Sequence, residues 1–214
     1  MENPNYNLTH NPADLVDKAP KQEFKNEIYT EHDMKTLIEV FLHDRIFILV
    51  LLGVYYGLRR SEVLGLEWNA VDFNMNTITI KQVAYYNKGS NGKRERTIKS
   101  ELKSKSSYRT LPLYPIVRTV LLDELEKQND KRQKYKNQYE KNSFVCVDDV
   151  GKWLKLENVT THFPCVLKMN GLKVIRYHDL RHLCATILYN KNIQQRDLKD
   201  CFGCSSSADA APST

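Results

Sequence analysis

The sequence predicts a mainly helical α+β domain that contains a small antiparallel sheet. Apolar residues recur at helical spacing on both sides of a central region in which residues 77–80 and 108–113 alternate like strands. The chain has 214 residues, of which 41% are hydrophobic and 27% charged, so it can bury a core of ordinary size without disulfides or a structural metal. The longest apolar run, Ile46 to Tyr56, is too short to cross a bilayer and predicts a buried helix with no membrane role.

The first part of the domain is predicted to be helical. Thr30 stands three residues before Asp33, as in a capping box, and apolar residues then continue at helical spacing. A second helix is expected over about Arg45–Tyr56. It ends at Gly57, because glycine readily adopts the left-handed conformation that follows many helices. A third, short helix is predicted to begin near Ser61.

The sheet is predicted from three short segments. Apolar and polar residues alternate along Thr77–Ile80 as in a strand, and Gln82–Tyr86 is a candidate partner for that strand. Tyr108–Leu113 is predicted to be the last strand of the same small sheet. Between Asn87 and Arg109, eight Lys or Arg residues stand against two Glu, so the net charge of +6 is concentrated here. Such a segment favours a polyanionic partner.

Helical spacing returns after the sheet. A helix is predicted around residues 116–125, and its polar continuation through residue 141 is either an exposed end of that helix or a long loop. Two more helices are expected, one before Gly171 and one from about His178 to Asn190.

The two ends of the chain are predicted to lie outside the domain, which is expected to occupy residues 27–203. Three X-Pro steps make residues 1–26 a predicted linker, and residues 204–214 lack the apolar side chains needed for order. Five irregularly spaced cysteines and no secretory signal indicate a reducing compartment, so a cytoplasmic, nucleoid-associated location is expected.

Three cationic groups are candidates for phosphate chemistry: Arg59-Arg60, the Lys103 and Lys105 hairpin, and the segment from His178 to His182 that contains Arg181. His178 and Arg181 are three residues apart and share one helix face, where both can meet one anion. No carboxylate cluster of the kind that holds Mg²⁺ accompanies them. Taken singly, an arginine after a helix end or a His–Arg pair on a helix more often has a structural role.

Three motifs in order resemble those of the tyrosine recombinases, the phage-integrase family. Gly57–Leu66 resembles the first-arginine motif, and His178–His182 resembles the second. Between them, Lys103–Leu113 is similar to the hairpin that carries the catalytic lysine, especially in integrases of conjugative transposons. The resemblance covers about Asn11–Ser207 and implies a core-binding domain before the linker.

The resemblance implies an integrase of a mobile element that cleaves and rejoins DNA through a 3′-phosphotyrosyl link, without any cofactor. Arg59 and Arg181 would stabilise the negative charge that builds on the non-bridging phosphate oxygens. His178 would take the proton of the nucleophile, and Lys103 would protonate the leaving 5′-oxygen, with Lys105 as the alternative.

Neighbouring residues are expected to support this site. Glu62 is expected to orient Arg59, and His182 is expected to be structural. Both clamp arginines are expected to point outward, so that alanine at either position leaves the fold intact. Contacts to double-stranded DNA are expected from seven further basic residues of the two regions: Arg60, Lys88, Lys93, Arg94, Arg96, Lys105 and Arg109.

The C-terminal part departs from the family pattern at two places. Cys204 stands where the family usually has a phosphate-binding histidine, and a thiol is a weak donor. Tyr189 is the last tyrosine, and it precedes the position of the family's nucleophile. A truncated or frame-disrupted catalytic domain is therefore expected. Cys201 and Cys204 form a C-x-x-C pair, but no second pair has metal-site spacing, so no metal is expected.

Two other functions remain open at this point. The chain could be a catalytically inactive DNA-binding remnant that occupies attachment sites or interacts with intact recombinase subunits of the same kind. Alternatively, it could be a relative of type IB topoisomerases, which also use catalytic arginines and a lysine and which relax supercoiled DNA. Double-stranded DNA is the expected partner in every case.

Overall fold

The computed structural model describes residues 29–88, 94–99 and 108–191, together with Phe202. Within these residues the chain forms helices and strands in the order α1 (Glu31–Phe41), α2 (Phe47–Tyr56), α3 (Arg60–Leu64), β1 (Val71–Asp72), β2 (Thr77–Ile80), β3 (Val83–Lys88), β4 (Arg94–Lys99), β5 (Arg109–Pro112), α4 (Pro115–Tyr135), α5 (Leu156–Met169) and α6 (Asp179–Asn190). The predicted fold class, mainly helical with a small antiparallel sheet, is confirmed.

The helices follow the expected signals. The hydroxyl of Thr30 caps α1 and the carboxylate of Asp33 accepts from the Thr30 N–H at 2.6 Å, as the capping box predicts. Helix α2 begins at Phe47, two residues after the predicted start, and ends at Gly57, whose φ of 59° is left-handed. The polar continuation after residue 125 is helical as far as Tyr135.

The strands form two separate antiparallel units. β2 lies between β1 and β5, and β3 pairs with β4 as a hairpin. The predicted pairing of Gln82–Tyr86 with Thr77–Ile80 is therefore wrong. Its physical reason is that β1 and β5 occupy both edges of β2, which leaves no hydrogen-bonding edge for β3.

Helix α2 lies at the centre of the core. Seven of its ten residues are buried, in accord with a helix that is apolar on all sides. The Tyr177 hydroxyl donates to the Leu49 carbonyl at 2.7 Å, which ties the segment before α6 to this helix. The Trp153 indole N–H donates to the Leu64 carbonyl at 2.6 Å and ties the end of α3 to the later part of the chain. In the part of the chain described here, no helix combines the length and apolar character of a membrane span.

Candidate phosphate-binding site

The two arginine motifs meet where α2 ends and α6 begins. Arg59 is the N-cap of α3, just after α2, and His178 is the N-cap of α6. The Arg181 Nη1 donates to the Gly57 carbonyl at 2.8 Å, a contact between residues that are 124 positions apart. The fold therefore brings Arg59, His178 and Arg181 to one place, as the motifs predict.

Arg181 is held by backbone carbonyls. Its Nη2 donates to the Phe202 carbonyl at 2.6 Å, and its guanidinium carbon lies 4.8 Å from the centre of the Phe202 ring. The residue is only 5% exposed. The expectation that Arg181 points outward is therefore wrong, because two carbonyls and an aromatic ring enclose its guanidinium. This enclosure fixes the orientation of the charge.

Arg59 is the more accessible of the two arginines, since 39% of its side chain is exposed. Glu62, one turn further along, accepts a hydrogen bond from the Arg59 backbone N–H at 2.8 Å and one from its Nη1 at 3.3 Å. The expected contact between Glu62 and Arg59 is present. One carboxylate thus holds both the backbone and the side chain of Arg59 at the start of α3.

Arg109 is the main departure from the predicted site. Its Nη1 and Nη2 donate to Oε1 and Oε2 of Glu62, both at 3.1 Å, and 5% of its side chain is exposed. The prediction that Arg109 contacts DNA is therefore wrong. Its physical reason is the alternation of β5, which directs Arg109 and Leu111 inward while Thr110 is exposed.

The charge state of Glu62 follows from these contacts. Burial alone raises the pKa of a carboxyl, but the Arg109 charge and hydrogen bonds, the Arg59 backbone N–H and the Arg59 charge outweigh it. The pKa of Glu62 is consequently below its usual value, and the carboxylate is ionised at neutral pH. Two guanidinium groups therefore share one negative charge.

His178 lies in a positive environment. Partial burial lowers the pKa of its imidazole, and the nearby charges of His182, Arg181 and Arg59 lower it further, whereas Asp179 opposes them. Its ring lies edge-on to the His182 ring, with 5.4 Å between the ring centres. A neutral imidazole at pH 7 can accept a proton, which is the state that a general base requires.

The structure describes some of the remaining predicted site residues and not others. Arg60 donates to the Thr160 hydroxyl on α5. Lys88, Arg94 and Arg96 lie on the β3–β4 hairpin, where the structure describes their backbone but not their side chains. Lys93, Lys103, Lys105, Cys201 and Cys204 lie outside the described residues.

Sequence reasoning missed two parts of this site. The first is the buried role of Arg109, for which the alternation along β5 is the available signal. The second is the contact of Phe202 with Arg181, for which the sequence carries no local signal.

Comparison with known proteins gives consistent matches. The model of the phage integrase family matches residues 28–211. A XerC-like tyrosine recombinase from Caldanaerobacter subterraneus subsp. tengcongensis is 26% identical over 199 residues, which cover 88% of this chain and 50% of the relative.

Solved structures show the same fold. The Tn1549 transposon integrase in complex with transposon right end DNA has a TM-score of 0.72 at 17% identity, over 94% of this chain and 64% of that one. The XerA recombinase has a TM-score of 0.65 at 19% identity, over 90% of this chain and 60% of that one. The chain thus spans about half to two thirds of the length of these proteins.

Proposed function

Because the chain belongs to the phage integrase family of site-specific tyrosine recombinases, we propose that residues 27–203 are the catalytic domain of a mobile-element integrase. The domain acts on duplex DNA, and the reaction is strand cleavage and rejoining through a phosphotyrosine link. Subunits of the same kind assemble with it on the DNA. Tyr189 is the last tyrosine of the sequence, so we assign the nucleophile to no residue of this chain.

The observation that carries the proposal is the convergence of Arg59, His178 and Arg181 at the junction of α2 and α6. Displacement at a phosphate builds negative charge on the non-bridging oxygens, and fixed guanidinium groups stabilise that charge without reorganising. Arg181 is fixed by two backbone carbonyls, and Arg59 is fixed by Glu62 while its side chain remains 39% exposed. His178 is the proton acceptor of this group.

The basic hairpin completes the proposed interface. Lys103 is the general acid for the leaving 5′-oxygen, with Lys105 as the alternative, because Lys103–Leu113 resembles the segment that carries the catalytic lysine in this family and an ammonium group can donate the required proton. Phosphate contacts come from this hairpin and from Arg60. The Tn1549 integrase, whose fold this chain shares, was solved on DNA, which supports duplex DNA as the partner.

The proposal is tested by the anisotropy of a labelled duplex titrated with the chain at several salt concentrations. We expect steeply salt-dependent binding. Arg59→Ala should weaken it about tenfold and reduce the slope of log K against log salt by about one. Arg118→Ala is the matched control, since it removes the same charge from α4, where the guanidinium lies over the Phe73 ring. Equal binding by wild type and Arg59→Ala would contradict the proposal.

Cleavage is tested separately from binding. The chain is incubated with a nicked duplex that traps covalent intermediates, and denaturing gels are examined for a protein–DNA adduct. An adduct supports strand cleavage by this chain and would mean that one of its own residues is the nucleophile. Salt-dependent binding without an adduct supports the alternative of a DNA-binding module, which is favoured by Cys204 in place of a histidine. Relaxation of supercoils without site preference would support the topoisomerase relative.

A further inference from the structure

We infer that Arg109 is a positioning residue of the site: it neutralises the buried Glu62 carboxylate, so that the charge of Arg59 is available to a DNA phosphate. This inference rests on the proposed function, because it assigns Arg59 to a phosphate. It goes beyond that function by giving a buried arginine of β5 a role in how the exposed arginine binds.

Glu62 interacts with both arginines. Glu62 is buried, with 1% of its side chain exposed, and both of its oxygens accept hydrogen bonds from Arg109 at 3.1 Å. The same oxygens accept from the backbone N–H and Nη1 of Arg59 at 2.8 and 3.3 Å. One carboxylate therefore lies between two guanidinium groups, and the cluster carries a net charge of +1.

Exposure decides where this net charge acts. Arg109 is enclosed, whereas Arg59 exposes 39% of its side chain. Arg109 makes the bidentate pair, which is the stronger geometry for an arginine and a carboxylate, and Arg59 makes a single longer side-chain contact. The buried arginine thus satisfies the carboxylate, and the exposed arginine keeps donors for an external anion.

Without Arg109, Glu62 would have Arg59 as its nearest cation. A buried carboxylate that loses its partner carries a large desolvation cost, so it would draw the Arg59 guanidinium into a full ion pair. The positive charge offered to a phosphate would then be cancelled. Loss of Arg109 should therefore weaken DNA binding even though Arg109 itself does not reach the surface.

The backbone around Arg109 is fixed on both sides. Arg109 pairs with Ile80 of the central strand β2. At the other end of β5, the Tyr56 hydroxyl donates to the Pro112 carbonyl at 2.9 Å and accepts from the Tyr114 N–H at 3.0 Å. These contacts anchor both ends of β5, and this placement directs the guanidinium of Arg109 to Glu62.

The test measures duplex affinity by anisotropy for wild type, Arg59→Ala, Arg109→Met and the double variant Glu62→Gln/Arg109→Met. All are measured at a temperature at which circular dichroism shows them folded. Arg109→Met should bind about tenfold more weakly than wild type. The double variant should recover to within about threefold of wild type, because the introduced glutamine amide still offers an oxygen to the Arg59 N–H but has no charge to cancel.

The outcomes separate the inference from the proposed function. If Arg59→Ala binds as well as wild type, the proposed function fails. If Arg59→Ala is weakened but Arg109→Met is not, only the inference fails. A double variant as weak as Arg109→Met would also overturn it, since that result means that Arg109 contacts DNA or acts only on stability. If Arg109→Met does not fold, the double variant decides alone: affinity near that of wild type supports the inference, and a tenfold loss refutes it.

Discussion

Replacing Arg181 with alanine should destabilise the fold far more than replacing Arg59. Arg181 donates to the carbonyls of Gly57 at 2.8 Å and Phe202 at 2.6 Å, and its guanidinium contacts the Phe202 ring. Alanine removes both donors and leaves two carbonyls in a region that water does not reach. Among the described residues, the Arg59 side chain makes one hydrogen bond, to Glu62 at 3.3 Å, in a partly exposed position.

The magnitudes follow from these contacts. A hydrogen bond from a charged donor contributes about 1.5–3 kcal/mol, and two that share one side chain are not fully additive, so Arg181→Ala should cost about 3 kcal/mol. In a domain of this size, 1 kcal/mol lowers Tm by about 2–4 °C, which gives a decrease of about 6–12 °C. Arg59→Ala should cost less than about 1 kcal/mol, the range of an exposed ion pair.

Thermal unfolding followed by circular dichroism measures both variants under the same conditions. Arg181→Lys serves as a second control, since it keeps the charge and one donor and should fall between wild type and alanine. Equal decreases in Tm for Arg59→Ala and Arg181→Ala would refute the reasoning. That result would mean that the carbonyl contacts of Arg181 contribute no more to the stability of the folded state than the contact of Arg59 with Glu62.

Three further predictions concern positions around the site. Gly57→Ala should lower the free energy of unfolding, measured by urea denaturation, more than Gly171→Ala. Both glycines have left-handed φ, which costs alanine about 1–2 kcal/mol, but a Cβ at Gly57 would also overlap the Phe202 ring, whereas at Gly171 no atom of the described residues lies within 4 Å. Similar losses would contradict this packing. The pKa of His178 is lower in the folded protein than in the unfolded chain, so below about pH 6.5 the unfolded chain binds a proton at His178 more readily. Wild type should therefore lose more free energy of unfolding than His178→Asn between about pH 7.5 and 5.5. Parallel curves of stability against pH for the two proteins would rule this out. Trp153→Phe should cost about 1–3 kcal/mol in the same denaturation assay, because the Leu64 carbonyl loses its donor at 2.6 Å, and an unchanged midpoint would show that this bond is not important.

The sequence predicted the elements that depend on local signals. The apolar run of α2 and its terminal Gly57 determine where that helix ends, and the capping pair before α1 determines where that helix begins. The order of the three motifs also predicted that Arg59 and Arg181 share a site. The helix signals lie within a few residues of the features they specify, whereas the shared position of Arg59 and Arg181 followed from the family resemblance and not from a local pattern.

Long-range pairing was not predictable in the same way. Glu62 and Arg109 are 47 positions apart, and an arginine at the end of a basic run has the same composition signal whether it faces DNA or a buried carboxylate. Similarly, β2 pairs with β5 instead of its neighbour β3, and two residues, Lys81 and Gln82, separate those neighbours without any turn-forming type. Strand order depends on which strand pairs with each sheet edge, and the role of Arg109 depends on which cation pairs with the buried Glu62 carboxylate.

The contact between Arg181 and Gly57 joins two parts of the chain that are synthesised at different times. The two residues are 124 positions apart, so at about 5–20 residues per second the ribosome adds Arg181 roughly 6–25 s after Gly57. Arg59 is therefore made long before the helix that brings His178 and Arg181 to it. A nascent chain that ends before α6 holds Arg59 without His178 and Arg181, so the group of three residues forms only when α6 has left the ribosome and packed against α2.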